Sequence, residues 1–510
     1  MSISPLDDRY YEELREYANS VSERAFVGYR VRVEVLYLDF LIDLLGRVGV
    51  VKPLSPRERE LLLSLRLGDD DYVRFRELEG ELGHDVKAIE YLVREKLAGI
   101  GLGRIAHLVH LGLTSEDVNN LALGVLVKVA VYKHLIPEVM RLLDLLMRLM
   151  REHASTPILG RTHGQPATPT TFGKEVAYHA CRVCYWLRDL VSVKLQGKVS
   201  GATGSMASFS MISDGIDWVT ELGNFVARLG FEPAVATTQI LPPDSMTRLL
   251  TSIGLMAQAL INLAQDMWMY NMLGYIHIRG RPIGSSTMPH KVNPVDLENA
   301  EGNLKLGSSI LMEISRYVQI SRLQRDLSDS TIKRNIGLGI GHVLLGVRRL
   351  TNVLSSVEVD VEAMGRDLDN HWEVLSEAVQ VRLRALGVAD AYEKALRLFR
   401  GSRMGRDDYL RVLEELGVRD ELLAGLSPSK YVGYATEITL NCIKYCGEVM
   451  GLARSRVQDE LLAGLSPSKY VGYATEITLN CIKYCGEVMG LARSRVQDEL
   501  DTLRRLGFID

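Results

Sequence analysis

The chain has 510 residues, 47% of them hydrophobic and 24% charged, with a net charge of −4. This is the composition of a globular protein with two or three domains, and it excludes a basic field for nucleic acid or an acidic tail. No apolar run reaches membrane-spanning length, and Met1–Asp7 lacks the basic and apolar regions of a leader, so the expectation is a cytoplasmic protein with no membrane or nucleic-acid partner.

Residues 1–110 read as an N-terminal helical domain with polar breaks. Glu23 to Val48 carries Phe26, Tyr29, Val33, Leu36, Phe40 and Leu44 at helical spacing, and Pro53 and Pro56 punctuate the chain soon after it. Arg9-Tyr10 and, near the end of this part, Gly83-His84-Asp85 are polar islands. Residues 111–358 read as a central domain of long helices. Thr114 with Asp117 three residues later is a capping-box pattern, and the apolar run Val118 to Met150 comes after it.

Thr156-Pro157 ends that run. Gly160-Arg161-Thr162-His163-Gly164-Gln165-Pro166-Ala167-Thr168-Pro169 is a loop stiffened by prolines, and a helix from Thr171 to about Val199 comes next. Gly201–Ser205 and Ala236–Gln239 are further polar breaks, and a helix is predicted from Asp244 to about Ile278. Gly284-Ser285-Ser286-Thr287-Met288-Pro289-His290-Lys291-Val292-Asn293-Pro294 then interrupts the helical pattern. Asn293 suits an N-cap and Pro294 the first turn, so the loop is expected to feed a helix N-terminus, where anions are favoured. Helices are predicted from Pro294 to about Leu323 and from about Asn335 to Val357, separated by the polar stretch Gln324–Arg334. Runs of this length span roughly 40–50 Å and bury their faces only by lying alongside one another. The expected fold is therefore all-α with a central long-helix bundle.

Beyond Asp360 the segments shorten, as in a small C-terminal domain at 359–458. Asp420 to Gln458 is repeated without change as Asp459 to Gln497, so 459–510 reads as a duplicated extension, too few copies for a solenoid. The six cysteines, Cys181, Cys184, Cys442, Cys446, Cys481 and Cys485, lack a matching second ligand pair and are expected to be buried free thiols, with no metal.

The polar islands share a chemistry. Arg, Lys, Ser, Thr and Asn donors at the ends of apolar helices suit carboxylates and phosphate, so the substrate is expected to be a polyanion. Ser4–Tyr10, Thr114–Asn120, Arg161–Pro169, Thr237–Ile240 and Gln324–Leu327, together with the Gly284–Pro294 loop, resemble in order and spacing the adenylosuccinate lyases of the fumarase/aspartase superfamily, in their bacterial-type branch, over about residues 4 to 440. His290 before Lys291 is similar to this family, where fumarases usually have Gly and argininosuccinate lyases Gln. Gly83 departs from it, since the branch commonly has Asn before the His-Asp pair. The duplication also departs.

The resemblance implies three domains and a homotetramer whose active sites each take residues from three subunits. It implies an anti β-elimination of fumarate with Ser285 as the base, His163 as the acid, and Glu298 paired with the histidine. Lys291, Asn293 and the helix N-terminus would stabilise the Ser285 alkoxide. Histidine titrates near neutrality, which suits a general acid. By the same resemblance Arg9, Tyr10, Arg325, Ser330, Thr331 and Arg334 would hold the nucleotide phosphate and ribose. His84, Asp85, Thr114, Ser115, Thr162, Gln239, Ser286, Lys291, Val292, Asn293 and Asn299 would surround the succinyl group and base. No cofactor is implied, because the substrate's own carboxylate is the electron sink. The alternatives are another lyase of the superfamily or an inactive helical scaffold comparable to the lens crystallins related to argininosuccinate lyase. The intact Ser285, His163, Lys291 and Glu298 argue against the scaffold.

Overall fold

The computed structural model of the protein describes residues 3–278, 288–401 and 403–462. Five helices form the N-terminal part: α1 Tyr11–Val21, α2 Glu23–Arg47, α3 Pro56–Ser64, α4 Asp69–Leu82 and α5 Asp85–Gly99. Ser22 caps α2 by accepting the Ala25 N–H, and Phe26, Tyr29, Val33, Phe40 and Leu44 on the predicted stripe are buried. The helix packs against α5 and against α6 (Ser115–Lys128).

The long run after Thr114 is not one regular helix. α6 passes into a π-helical turn at Val129–Leu135 and then into α7, Ile136–Glu152. The cause lies in the sequence: Pro137 has no N–H and its ring crowds the carbonyl four residues back, so the wider turn accommodates it. Four two-residue strands come next, β1 Pro157–Ile158, β2 Arg161–Thr162, β3 Gln165–Pro166 and β4 Thr170–Thr171, with β1 paired to β4 and β2 to β3. α8 runs from Phe172 to Ser192, seven residues short of the predicted Val199. β5 (Gln196–Gly197), α9 (Ala207–Ser210), α10 (Trp218–Arg228) and β6 (Glu232–Pro233) lead to α11, Asp244–Met272. That helix also stops early. Gly274 takes a positive φ and Ile276–Ile278 form a strand, β7, instead of a last helical turn. α12 is Val295–Tyr317, α13 Ser328–Lys333 and α14 Ile336–Ser356, succeeded by β8, Val357–Val359, which pairs with β7 antiparallel.

The expected elongated bundle is present. α12 lies between α11 and α14, while α8 packs on α7, α11 and the last described helix, α20 (Ala435–Leu462). α11 and α12 are antiparallel, because Thr247 reaches Ser315 at one end and Trp268 reaches Glu298 at the other. α14 runs antiparallel to α12 in turn, with His342 beside Asn303 and Arg349 beside Asn299. Beyond β8 lie the short helices α15 (Val361–Asp369), α16 (Ser376–Ala385), α17 (Ala391–Phe399), α18 (Arg406–Glu415) and α19 (Glu421–Ala424). A second apolar core forms here around Leu375, Val379, Tyr409 and Leu413, and Tyr431 docks on it. α20 then returns to the bundle, where Cys446, Val449, Met450 and Ala453 join the main core.

This return corrects the expectation of free thiols. Cys181 on α8 is bonded to Cys442 on α20, with Cα atoms 6.2 Å apart, while Cys184 and Cys446 stay buried thiols. The two helices lie side by side with their cysteine pairs on facing stripes, a proximity that 261 residues of sequence separation conceal. Cys446 is 3.8 Å from Cys442. Cys181, Cys442 and Cys446 are the one grouping of three metal-ligating side chains among the described residues, and two of its sulfurs are already joined to each other. Cys481, Cys485 and almost all of the second repeat copy lie outside the described residues.

Candidate active site

The candidate residues collect at two ends of the bundle. At the first end, α6 begins at Ser115, and the Asp117 carboxylate accepts the Thr114 N–H at 2.9 Å, as the capping pattern predicts. His84 caps α5 by accepting the Lys87 N–H on Nδ1, and its Nε2 lies 3.5 Å from Ser115 Oγ. Arg325 pairs with Glu116 at 2.9 Å. Asp85 sits between Arg30 at 3.1 Å and Arg334 at 3.3 Å. Burial works against the Asp85 carboxylate, but Arg30, the Val86 N–H and Arg334 outweigh it and hold its pKa below the usual range. Ser330 and Arg334 line a cavity with Glu23, Arg30, Glu116 and Lys333, and Thr331, next to Ser330 in the chain, is exposed. Gln239 reaches the same end, its N–H donating to Gln324 O and its amide to Ala202 O.

These pieces hang on a buried knot. Asp117 is fully buried, takes the Lys198 ammonium at 2.9 Å and accepts the N–H groups of Ser200 and Gly201. Ser200 bonds Thr237, and Gly204 approaches so closely that a Cβ there would stand 2.1 Å from Thr237 O. α6, the Gly201–Ser205 break and the Thr237–Gln239 patch are thereby locked together. The sequence shows Asp117 only as a cap; Lys198 and Arg30 belong to no motif. His110 is a further residue missed by motif reading. It has φ +62° and its Nδ1 lies 2.5 Å from Glu34, which outweighs burial and raises the His110 pKa.

At the second end, His163 and Gly164 form the two-residue turn between β2 and β3, with Thr162 opposite Gln165 and φ values of +54° and +75°. Positive φ at both positions is the primed hairpin turn, and His is among the few side chains enriched there. His163 and Thr162 are exposed at the tip. Gly160 makes the root tight, since a Cβ there would meet Thr168 O at 2.3 Å. Tyr10 accepts the Asn299 amide at 3.0 Å, Arg9 stands 5.8 Å from the Tyr10 ring, and Arg349 bonds Asn299 from α14. Lys291 and Val292 are exposed and Asn293 is half-buried. The helix after them starts one residue later than expected. Pro294, not Asn293, occupies the N-cap position, and its carbonyl receives the Leu297 N–H. Glu298 is exposed and accepts from Trp268, so within one chain, among the described residues, the expected Glu298–histidine pair is not made. Ser285 and Ser286 lie outside the described residues.

The two ends are far apart. From Arg334 to Arg349 the chain climbs about 20 Å along α14, and from Asn299 to Tyr317 about 27 Å along α12, at ~1.5 Å per residue.

Residues 65–307 match the family described as Lyase, and residues 321–432 that described as Adenylosuccinate lyase C-terminal. The chain is 35% identical over 445 residues to adenylosuccinate lyase of Haemophilus influenzae, covering 86% of this chain and 97% of that one. It is also 35% identical over 446 residues to the Escherichia coli K12 adenylosuccinate lyase, covering 85% and 97%. The chain belongs to the adenylosuccinate lyase family. Solved structures share the fold at lower identity. A fumarate lyase from Mesorhizobium superposes with a TM-score of 0.67 at 20% identity, over 85% of this chain and 97% of that one. The 3-carboxy-cis,cis-muconate lactonizing enzyme of Pseudomonas putida gives 0.68 at 21%, over 88% and 100%. Within the adenylosuccinate lyase family the Gly83 departure has a simple reading here. Gly83 has φ +65° and ends α4 in the left-handed region, a position that takes Gly or Asn with little strain.

Proposed function

We propose that this lyase releases fumarate from adenylosuccinate, giving AMP, and from succinylaminoimidazole carboxamide ribotide, giving the carboxamide. The family relationship over almost the whole length of its relatives carries the reading. Ser285 takes the proton from the carbon beside a substrate carboxylate. The electron pair passes into that carboxylate as an aci-carboxylate, then forms the carbon–carbon double bond as the C–N bond breaks. His163 protonates the departing nitrogen. Lys291 and Asn293 stabilise the alkoxide and Glu298 supports the histidine. The electron sink is part of the substrate, so the scheme draws on no cofactor.

The nucleotide phosphate and ribose fall to Arg9, Tyr10, Arg325, Ser330, Thr331 and Arg334. The succinyl group and base fall to His84, Asp85, Thr114, Ser115, Thr162, Gln239, Ser286, Val292 and Asn299. One small substrate cannot bridge two ends separated by about 20 Å of helix at ~1.5 Å per residue. That separation supports a homotetramer in which each site combines ends from different subunits, three in all, and we place it in the cytoplasm. The proposed domains are 1–110, the bundle 111–358, and a small C-terminal unit from 359; the expected boundary at 458 is corrected, because α20 (Ala435–Leu462) leaves that unit to pack in the bundle core. Ultraviolet spectra with adenylosuccinate test the activity. Loss of the succinylamino absorbance with stoichiometric fumarate is expected; cleavage of argininosuccinate instead, or no fumarate, overturns it.

A further inference from the structure

The His163 hairpin is gripped from outside its own segment by residues that no motif contains. Arg161, two residues before His163, sends Nη2 to Asp367 Oδ2 at 2.6 Å and Nη1 to the Tyr275 hydroxyl at 2.9 Å. The Tyr275 hydroxyl closes the triangle by donating to the same Asp367 oxygen. Burial and the Asp367 hydrogen bond push the Tyr275 pKa up to about 12, so at neutral pH the phenol keeps the proton this pattern needs. For Arg161 and Asp367 burial opposes charge. Their bonds to each other and to Tyr275 outweigh it, raising the Arg161 pKa and lowering that of Asp367.

The three residues come from three places. Arg161 begins β2. Asp367 is on α15, the first helix beyond the bundle, where His371 lies 3.6 Å from its other oxygen. Tyr275 is buried and immediately precedes β7, the strand that leads toward residues 279–287. A second carboxylate from the same side helps: Glu377 on α16 accepts from Thr168 at 2.6 Å and from Tyr431 at 3.2 Å. The exposed tip thus has its root clamped to Tyr275 beside β7 and to Asp367 on α15.

We propose that Asp367 and Tyr275 are positioning residues for the elimination, holding the His163 hairpin in one conformation through Arg161. This rests on the reading of His163 as the general acid. A hairpin of two-residue strands has few bonds of its own, and a turn with positive φ at His163 needs outside support to stay in one conformation. Misplacement of a reacting group by about 1 Å costs on the order of 100-fold in rate. The residues at the other bundle end are held by the Asp117–Lys198 knot, which shares no residue with this clamp.

The experiment uses the full chain with Asp367→Asn and, as the milder change, Tyr275→Phe. Each is made alone and in a His163→Gln background. Steady-state kinetics is expected to show kcat lowered about tenfold or more, with a smaller rise in KM because Thr162 sits on the same hairpin. In the His163→Gln background neither change lowers kcat further, because the group they position is already gone. Hydrogen exchange read by mass spectrometry supplies a measure independent of turnover: faster exchange in the peptide 159–170, with the peptides of α6 and α14 unchanged. An undiminished kcat, or the same fold loss with and without His163, overturns the proposal. So does unchanged exchange at 159–170. A wild-type chain that releases no fumarate instead refutes the functional reading, and the exchange measurement still decides whether the clamp exists.

Discussion

The two ends of the bundle are built on different principles. The end with His84, Ser115, Gln239, Arg325 and Arg334 rests on a fully buried ion pair, Asp117–Lys198, that joins three stretches of chain. The end with His163, Lys291 and Glu298 presents exposed side chains on a hairpin tip and a helix start, braced by the partly exposed Arg161–Asp367 pair. The first is a rigid seat. The second is a set of tips that stand out from the chain, as they must if they complete a site on another subunit. Exposure of a candidate catalytic residue in one chain is therefore no argument against its role.

The largest effect should come from the second end. His163→Gln is expected to lower kcat about 1,000-fold, within the range for losing a general acid, with substrate binding retained. Rapid-quench turnover and equilibrium binding check this; kcat within tenfold of wild type contradicts it. At the first end the change should appear in stability and KM instead. Lys198→Met leaves the Asp117 charge buried without its cation, a loss of roughly 3–5 kcal/mol. Denaturant melts should show that loss together with a raised KM. A variant as stable as wild type would mean that the pair does not hold this end.

Which parts were legible tracks the range of the interactions. The α2 stripe, the Thr114 capping pattern and the long bundle helices are local and periodic, and they stand nearly where expected. The failures are long-range. Nothing near Cys181 points to Cys442, and nothing near Arg161 points to Asp367. Ile276–Ile278 read as helix because a short apolar run has no period of its own; pairing with Val357–Val359 makes it a strand. The candidate site was legible as motifs, but not their division between two ends, since spacing in sequence says little about place along a bundle.

Smaller effects sharpen the contrast. The raised His110 pKa belongs to the first end. The stability contributed by its pair with Glu34 should be fully present below the ordinary histidine pKa and fade as pH rises through the raised value. Chemical melts from mildly acidic to mildly alkaline pH should therefore slope downward, and Glu34→Gln should flatten the slope; a slope unchanged in that variant removes His110 as its source. No candidate residue of either end belongs to the second repeat copy, so deleting Asp459 to Gln497 should leave turnover and Tm essentially unchanged. A large fall in Tm would place that copy in the core.

In the proposed assembly one active site joins the two ends of different chains, and subunit complementation is the decisive test. His84→Gln disables the first end and His163→Gln the second, and each variant alone should be nearly inactive. After dissociation and reassembly of an equal mixture, sites that draw an intact His84 from one chain and an intact His163 from another should regain turnover. Random assignment in a symmetric oligomer sets the ceiling at about one quarter of wild type. Recovery toward that level is the predicted result; a mixture no more active than the single variants, with subunit exchange demonstrated by mass, would contradict the account.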